Sequence, residues 1–206
     1  MTSIKLPDTP ELGFVDATHT YTLYGQKIPS VTQLMAPLSA AVYGGINTEV
    51  LAKAAARGTE VHQAAENYAN FGIEDISPEL RGYFDGFREW FDEVKPEVVS
   101  TEFKTYHKYL IYGGTVDLLA YINGYLYVID YKTTSSVETM LTRVQLEAYK
   151  RALLSLGVPV ERKAILHLKK TGCTFTEYDP DDDRAWEVFT SLVNVNNYIL
   201  VNKNRR

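Results

Sequence analysis

The sequence predicts an α/β protein built on a mixed central β-sheet with helices on both faces. Three observations predict it. Two strand-like runs, Thr115–Ile122 and Tyr125–Tyr131, flank Asn123-Gly124, the signature of a two-residue hairpin. Both runs are apolar on both faces, with Val116, Leu118 and Ala120 on one side and Leu119 and Val128 on the other. Strands of that kind are buried between layers. Segments of helical period precede and follow them, and these supply the covering layers.

Residues 1–17 read as irregular. His19–Leu23 alternates as a short strand, Tyr24-Gly25-Gln26-Lys27 reads as a turn, and a second short strand follows. Ser30-Val31-Thr32-Gln33 has the spacing of a capping box, opening a short helix that Pro37 ends. A long helix is expected over Thr48–Tyr68. The next spans Pro78–Val94, with Ser77 as N-cap and Pro78 in the first helical position. Its apolar residues Leu80, Tyr83, Phe84, Phe87, Trp90, Phe91 and Val94 fall on one face. That stripe reads as core rather than as a surface for stacking bases. After Pro96 the pattern turns to strand: Val98–Tyr106, Tyr109–Tyr112, then the two hairpin strands. A helix over Glu138–Leu156 is stopped by Gly157. Arg162–Lys169 and Thr174–Tyr178 are strands about the turn Thr171-Gly172, and a last helix spans Asp182–Val201. With no internal repeat and no low-complexity linker, one domain covers 1–206. Its N-terminal hairpin and short helix occupy 1–46, ahead of a core in 47–206.

Composition narrows the function. A chain of 206 residues is long enough for one sizeable core. The net charge of −5 argues against coating nucleic acid by bulk electrostatics, though not against a local basic groove. Cys173 is the one cysteine. It excludes, within one chain, a disulfide, a cysteine zinc cluster and a cysteine-ligated iron–sulfur cluster, and it fits a reducing compartment. No apolar run approaches the length of a membrane span. The start, MTSIKLPDTPELG, lacks the order of a signal peptide, so a cytoplasmic protein is expected.

The hairpin carries the chemistry. If Ile122 faces Tyr125 across the turn, Asp117 falls opposite Asp130 on one face, with Cβ atoms roughly 5 Å apart. Carboxylates so placed repel. A divalent cation removes the objection, and oxygen-rich acidic sites suit magnesium or manganese. Lys132, two residues past Asp130, points the same way. Two acids and an ammonium on one patch of sheet are the parts of metal-assisted chemistry on a phosphate. A buried ion pair of Lys132 with one aspartate would explain that acid and leave the other costly. Elsewhere, Arg57 and Arg143 are the best candidates to clamp phosphates. Ser30 and Thr32 sit at a helix N-terminus, where they could meet phosphate; plain capping by Ser30 serves equally well. Glu66 falls one helical turn past His62, on the same face; it is a solvated charge or, if His62 ligates a metal, reaches that metal through water. Glu102, on the strand before the hairpin, faces either the site or solvent. The tail Lys203-Asn204-Arg205-Arg206 reads as a frayed basic end.

Gly113-Gly114-Thr115-Val116-Asp117, then Ile129-Asp130-Tyr131-Lys132-Thr133 with the acids thirteen positions apart, resembles the PD-(D/E)XK nuclease superfamily. Aspartate rather than glutamate at 130 resembles its RecB-type branch. Three further pieces match that branch: Gly58 to His62 as a G-x-x-x-H helix, Gln145 to Tyr149 as a Q-x-x-x-Y motif, and Thr133-Thr134 after the lysine. Pro29-Ser30-Val31-Thr32 resembles phage exonucleases of this branch and the mitochondrial genome maintenance exonuclease. The resemblance implies a restriction-endonuclease-like core and a deoxyribonuclease using Mg2+ or Mn2+, first of all an exonuclease. It implies His62, Asp117, Asp130 and the backbone carbonyl of Tyr131 as metal ligands, with Asp117, Asp130 and Lys132 catalytic. Gln145 and Tyr149 would meet the phosphate backbone or support Lys132. DNA ends would be the substrate, in recombination, repair or DNA processing. The setting would be a bacterial or phage-infected cytoplasm, with a phage or host recombination protein as partner. A structure- or site-specific endonuclease of the same superfamily and a non-catalytic DNA-binding module are the competing expectations.

Overall fold

In the computed structural model, which describes residues 4–203, the chain opens with three short strands and two short helices. These are β1 (Leu12–Val15), β2 (Thr20–Leu23), β3 (Gln26–Ile28), α1 (Val31–Leu34) and α2 (Ala36–Tyr43). Two longer helices follow, α3 (Thr48–Phe71) and α4 (Arg81–Val94). Then come β4 (Glu97–Tyr106), β5 (Gly113–Ile122), β6 (Tyr125–Lys132), α5 (Thr139–Ser155), β7 (Arg162–Lys169), β8 (Gly172–Tyr178) and α6 (Asp183–Lys203). Strands β4 to β8 form one sheet in chain order, with β6 and β7 parallel and every other pair antiparallel. The parallel step needs a crossover, and α5 supplies it.

The sheet is covered on both sides, as its two-sided apolar strands require. One face packs Leu119 and Val128 against Val31 of α1, Leu146 and Leu153 of α5 and Phe189 of α6. The other packs Leu118, Ile129 and Leu166 against Val61 of α3 and Phe84, Phe87 and Trp90 of α4. The aromatic stripe of α4 is therefore core. Asn123 and Gly124 take φ of 51° and 84°, the left-handed pair a two-residue hairpin needs. Ile122 pairs with Tyr125, and the ladder runs back in that register to Leu118 and Ile129.

Several local expectations need correction. Residues 12–15 are not irregular: they form β1, which pairs with β2. Pro37 opens α2 rather than ending a helix, because its missing N–H costs nothing in a first turn. The capping box at Ser30 is formed, with Ser30 Oγ accepting from Gln33 N–H at 3.1 Å and Gln33 Oε1 from Ser30 N–H at 3.1 Å. Ser77, by contrast, makes no side-chain cap, and the turn after it is a 3₁₀ turn, Pro78–Leu80. The amide of Ser77 is held instead by Glu60 Oε1 at 2.8 Å.

Tyr109–Tyr112 is a turn, not a strand. His107 makes it so. Its Nδ1 accepts from the Tyr109 and Leu110 amides at 3.2 and 3.1 Å, and its ring stacks on Trp186. Burial pushes this imidazole down to about 4. The folded protein thus excludes a proton that the unfolded chain binds below the ordinary value near 6.5. Stability from this group is complete above pH 6.5 and is lost as pH falls towards 4, by at most about 3 kcal/mol. Replacement of His107 by Gln should flatten that part of the acid limb. Melting temperatures of the two proteins at pH 7 and pH 4.5 check this, and parallel losses would refute it.

Val116 departs from the alternation read in the sequence. It packs with Leu119 and Val128, while Leu118, two residues on, packs on the opposite face. On β4 the partner residues behave alike: Thr101 pairs with Leu118, and Phe103 pairs with Val116 and packs on its side. Both strands therefore change face at Glu102 and Asp117. Glu102 takes a left-handed φ of 45° to do so, which is uncommon for a side chain with a Cβ. Strained backbone of this kind gathers at functional sites.

Candidate active site

The inversion at Glu102 and Asp117 opens the β5–β6 ladder one residue short of the expected Asp117–Asp130 pair. Asp117 uses the gap. Its Oδ2 accepts the amide of Tyr131 at 2.6 Å, which a ladder carbonyl would otherwise bind. The two aspartates still line one cavity of about 630 Å³, together with His62, Glu102, Lys132, Gln145 and Tyr149. Three layers build it: the splayed strands form the floor, α3 one wall, and α5 with the N-terminal segment the other. The N-terminal wall is stapled in place by a bridge between Ser30 and Gly113, with Gly113 N–H donating to Pro29 O at 2.9 Å.

Each of the two aspartates has a basic neighbour in the cavity. Lys132 Nζ lies 2.5 Å from Asp130 Oδ2 and donates to Gln145 Oε1 at 2.9 Å. Gln145 Nε2 in turn donates to the Tyr149 hydroxyl at 3.1 Å. From α3, His62 Nδ1 lies 3.5 Å from Asp117 Oδ1, and Nε2 meets the Tyr131 carbonyl at 3.1 Å. Burial alone would push the His62 imidazole down. Asp117 beside it, with Asp130 beyond, overrides burial and lifts it to about 9. The acids part company. Burial would raise Asp117, but His62 and the Tyr131 amide hold it below the usual carboxylate range. Asp130 is raised by burial and by Asp117, against the pull of Lys132. Burial disfavours the Lys132 ammonium, yet Asp130 keeps it fully charged by raising it.

Glu102 is the site residue that sequence reasoning left open, and it faces inward. His62, Glu102 and Asp117 each bring a ligand atom within 4.8 Å of the others. Burial, then the Asp117 charge, push the Glu102 carboxyl up to about 7. Its strand position alone did not give its direction, because the face inversion at this residue is a tertiary effect. Glu66 lines the cavity too.

The remaining candidates divide. Ser30 and Thr32 both line the cavity, although Ser30 is buried and its hydroxyl is engaged with Gln33 N–H and Thr32 Oγ1. Arg57 lies over the Tyr83 ring, 5.4 Å from its centroid, and does not line the cavity. Nor does Arg143, which is held in a two-pronged pair by Asp182 at 2.6 and 2.9 Å. Neither arginine is placed to clamp a phosphate at the acids. Gly58 looks across to Thr133, but an added Cβ would sit an ordinary 3.7 Å from its Oγ1, so close approach does not demand the glycine. Gly114 is different: a Cβ there would fall 2.7 Å from the Tyr149 ring.

An acid pair, a paired lysine and a helix-borne histidine are thus gathered around a splayed hairpin. A sequence model of the PD-(D/E)XK nuclease superfamily matches residues 47–194, and the chain belongs to that superfamily. It is accordingly a nuclease-type hydrolase, and nucleases of this superfamily use divalent metal ions. No curated protein matches the sequence. Among solved structures, the crystal structure of SSO0001 is similar over 71% of this chain and 73% of its own, at 16% identity and a TM-score of 0.38. That likeness is too loose to bear on function. Among the described residues, no helix is long and apolar enough to cross a membrane.

The donor set fits a divalent ion. Asp130 Oδ2 is buried without a well-directed hydrogen bond, its neighbour Lys132 notwithstanding. Hard cations take oxygen ligands of this kind. Asp117, Asp130, Glu102 and the Tyr131 carbonyl would hold the ion with His62, which ligates only as neutral imidazole and so must give up its proton.

Proposed function

We propose that this chain is a magnesium- or manganese-dependent deoxyribonuclease of the RecB-type branch, and that it works as an exonuclease. The observation that carries the reading is one connected line of polar contacts. Tyr149 holds Gln145, Gln145 holds Lys132, and Lys132 meets Asp130 in the cavity where His62 meets Asp117. A bound divalent ion supplies charge neutralisation at the phosphoryl oxygen and a water acidic enough to attack at neutral pH. The protein supplies the rest. The Lys132 ammonium, aimed by Gln145, donates to a phosphate oxygen as charge builds there. Asp117 is held in place by the Tyr131 amide. Tyr149, packed on Gly114, keeps the Gln145 amide turned so that its oxygen faces the lysine.

Exonuclease action is favoured by the walls. Asp16, His19 and Tyr21 of the N-terminal segment line the cavity together with His62, Gln63 and Glu66 of α3. A recess walled on both sides suits a strand end better than the middle of a long duplex. DNA ends in recombination, repair or processing are then the substrate. A phage or host recombination protein is the partner, and the cytoplasm of a bacterium or infected host the setting.

Covalently closed circular DNA tests the mode of cutting. With magnesium or manganese the protein should digest linear strands and leave circles intact; nicked circles would mean an endonuclease. Metal binding is read independently by melting. Manganese in place of chelator should raise the melting temperature of the native protein by about 5 °C or more. Asp117→Asn should respond far less, and equal shifts in both proteins would reject this metal site.

A further inference from the structure

A second cavity, of about 240 Å³, opens beside the catalytic one. The two share three walls, since Thr32, Lys132 and Gln145 line both. Beyond those residues the apolar part of the lining is Met35, at the junction of the first two helices, Tyr43, Val137 and Leu141, and the polar Ser39, Thr134, Glu138 and Thr142 complete it. Its volume falls below the roughly 300–1,000 Å³ of pockets that take drug-sized ligands. It suits one flat ring system, not a whole nucleotide. The group in a nucleic acid that is flat, apolar on both faces and polar at its rim is the base, and bases bind by stacking on such walls. Ser39 brings a hydroxyl to the same lining for the rim.

We propose that this cavity is a nucleobase subsite. It takes the base of a nucleotide flanking the scissile phosphate while Lys132, on the shared wall, holds that phosphate. This inference rests on the deoxyribonuclease reading and deepens it. A base enters only when unstacked and unpaired, as in enzymes that draw a base out of the helix. The strand is therefore single or melted where it is cut, and single strands are the preferred substrate over blunt duplexes.

End-labelled single strands carrying one abasic tetrahydrofuran nucleotide test this, digested in manganese by the native protein, by Val137→Trp and by Ser39→Trp. The native protein should stall at the bond flanking the lesion, with kcat/KM there lowered about tenfold. In the two filled variants the indole occupies the cavity. Each should lose a similar factor at every bond of an unmodified strand and show no added stall at the lesion. The native protein needs no substitution for its part, and a variant whose melting temperature collapses is replaced by the other. Passage through the lesion at an unchanged rate would overturn the subsite while leaving the nuclease reading intact. So would a stall in the folded filled variants as deep as in the native protein. Failure to cleave any strand in magnesium and manganese would overturn the nuclease reading, and the subsite with it.

Discussion

Replacing Lys132 by alanine is expected to lower DNA cleavage by about a thousandfold or more, the scale on which loss of a preorganised charge-stabilising donor is felt. The ammonium is the one group in the cavity held by both Asp130 at 2.5 Å and Gln145 at 2.9 Å. Asp117→Ala should be as severe, because it removes both the partner of His62 and the acceptor of the Tyr131 amide. Gln145→Ala should be milder, about tenfold, since the lysine keeps its charge and loses only its aim. DNA binding measured in chelator should survive in Lys132→Ala within a few fold. Single-turnover rates on a labelled strand, beside melting temperatures, check all three. An unchanged rate in either severe variant would reject the assigned centre, and a Gln145 variant as dead as the lysine variant would make the glutamine more than a support.

The second large effect lies away from the cavity. Lys163 on β7 and Glu147 on α5 form an ion pair with both side chains fully buried. Arg151 flanks the same carboxylate at 2.7 Å. Lys163→Met is expected to destabilise the fold by about 3–5 kcal/mol, because one buried charge loses its principal partner. For a chain of this size that is a fall of about 10 °C in melting temperature. Adding Glu147→Leu should recover much of the loss, since an apolar pair leaves no buried charge uncompensated. Denaturant melts of the two single variants and the double variant give the coupling directly. Additive losses would mean that the pair is not one unit.

These two results bear on how far the site could be read in advance. The hairpin at Asn123-Gly124, its register and the placing of Asp130 and Lys132 on one face follow from local pattern, because strand alternation and turn chemistry act over a few residues. The pairing of Gln145 with Tyr149 follows from one helical turn. The fate of the charges does not. Arg143 was a reasonable phosphate clamp until Asp182, far along the chain, took it. Lys150 is likewise buried on the Pro180 carbonyl and Asp181, and Arg151 bridges Glu147 and Asp183. A charged side chain chooses its partner by which surfaces meet, and no short stretch of sequence states that.

The amino-acid order alone determined the two-faced sheet, the helices that cover it and the acids and lysine on adjoining strands, since each depends on the spacing of neighbours along the chain. Tertiary structure decided where alternation inverts. Glu102 bends to a positive φ and Asp117 leaves the ladder for the Tyr131 amide, so that His62 can descend from α3 between them. That choice belongs to three segments meeting at once. Its energy lies in contacts between them and not within any one.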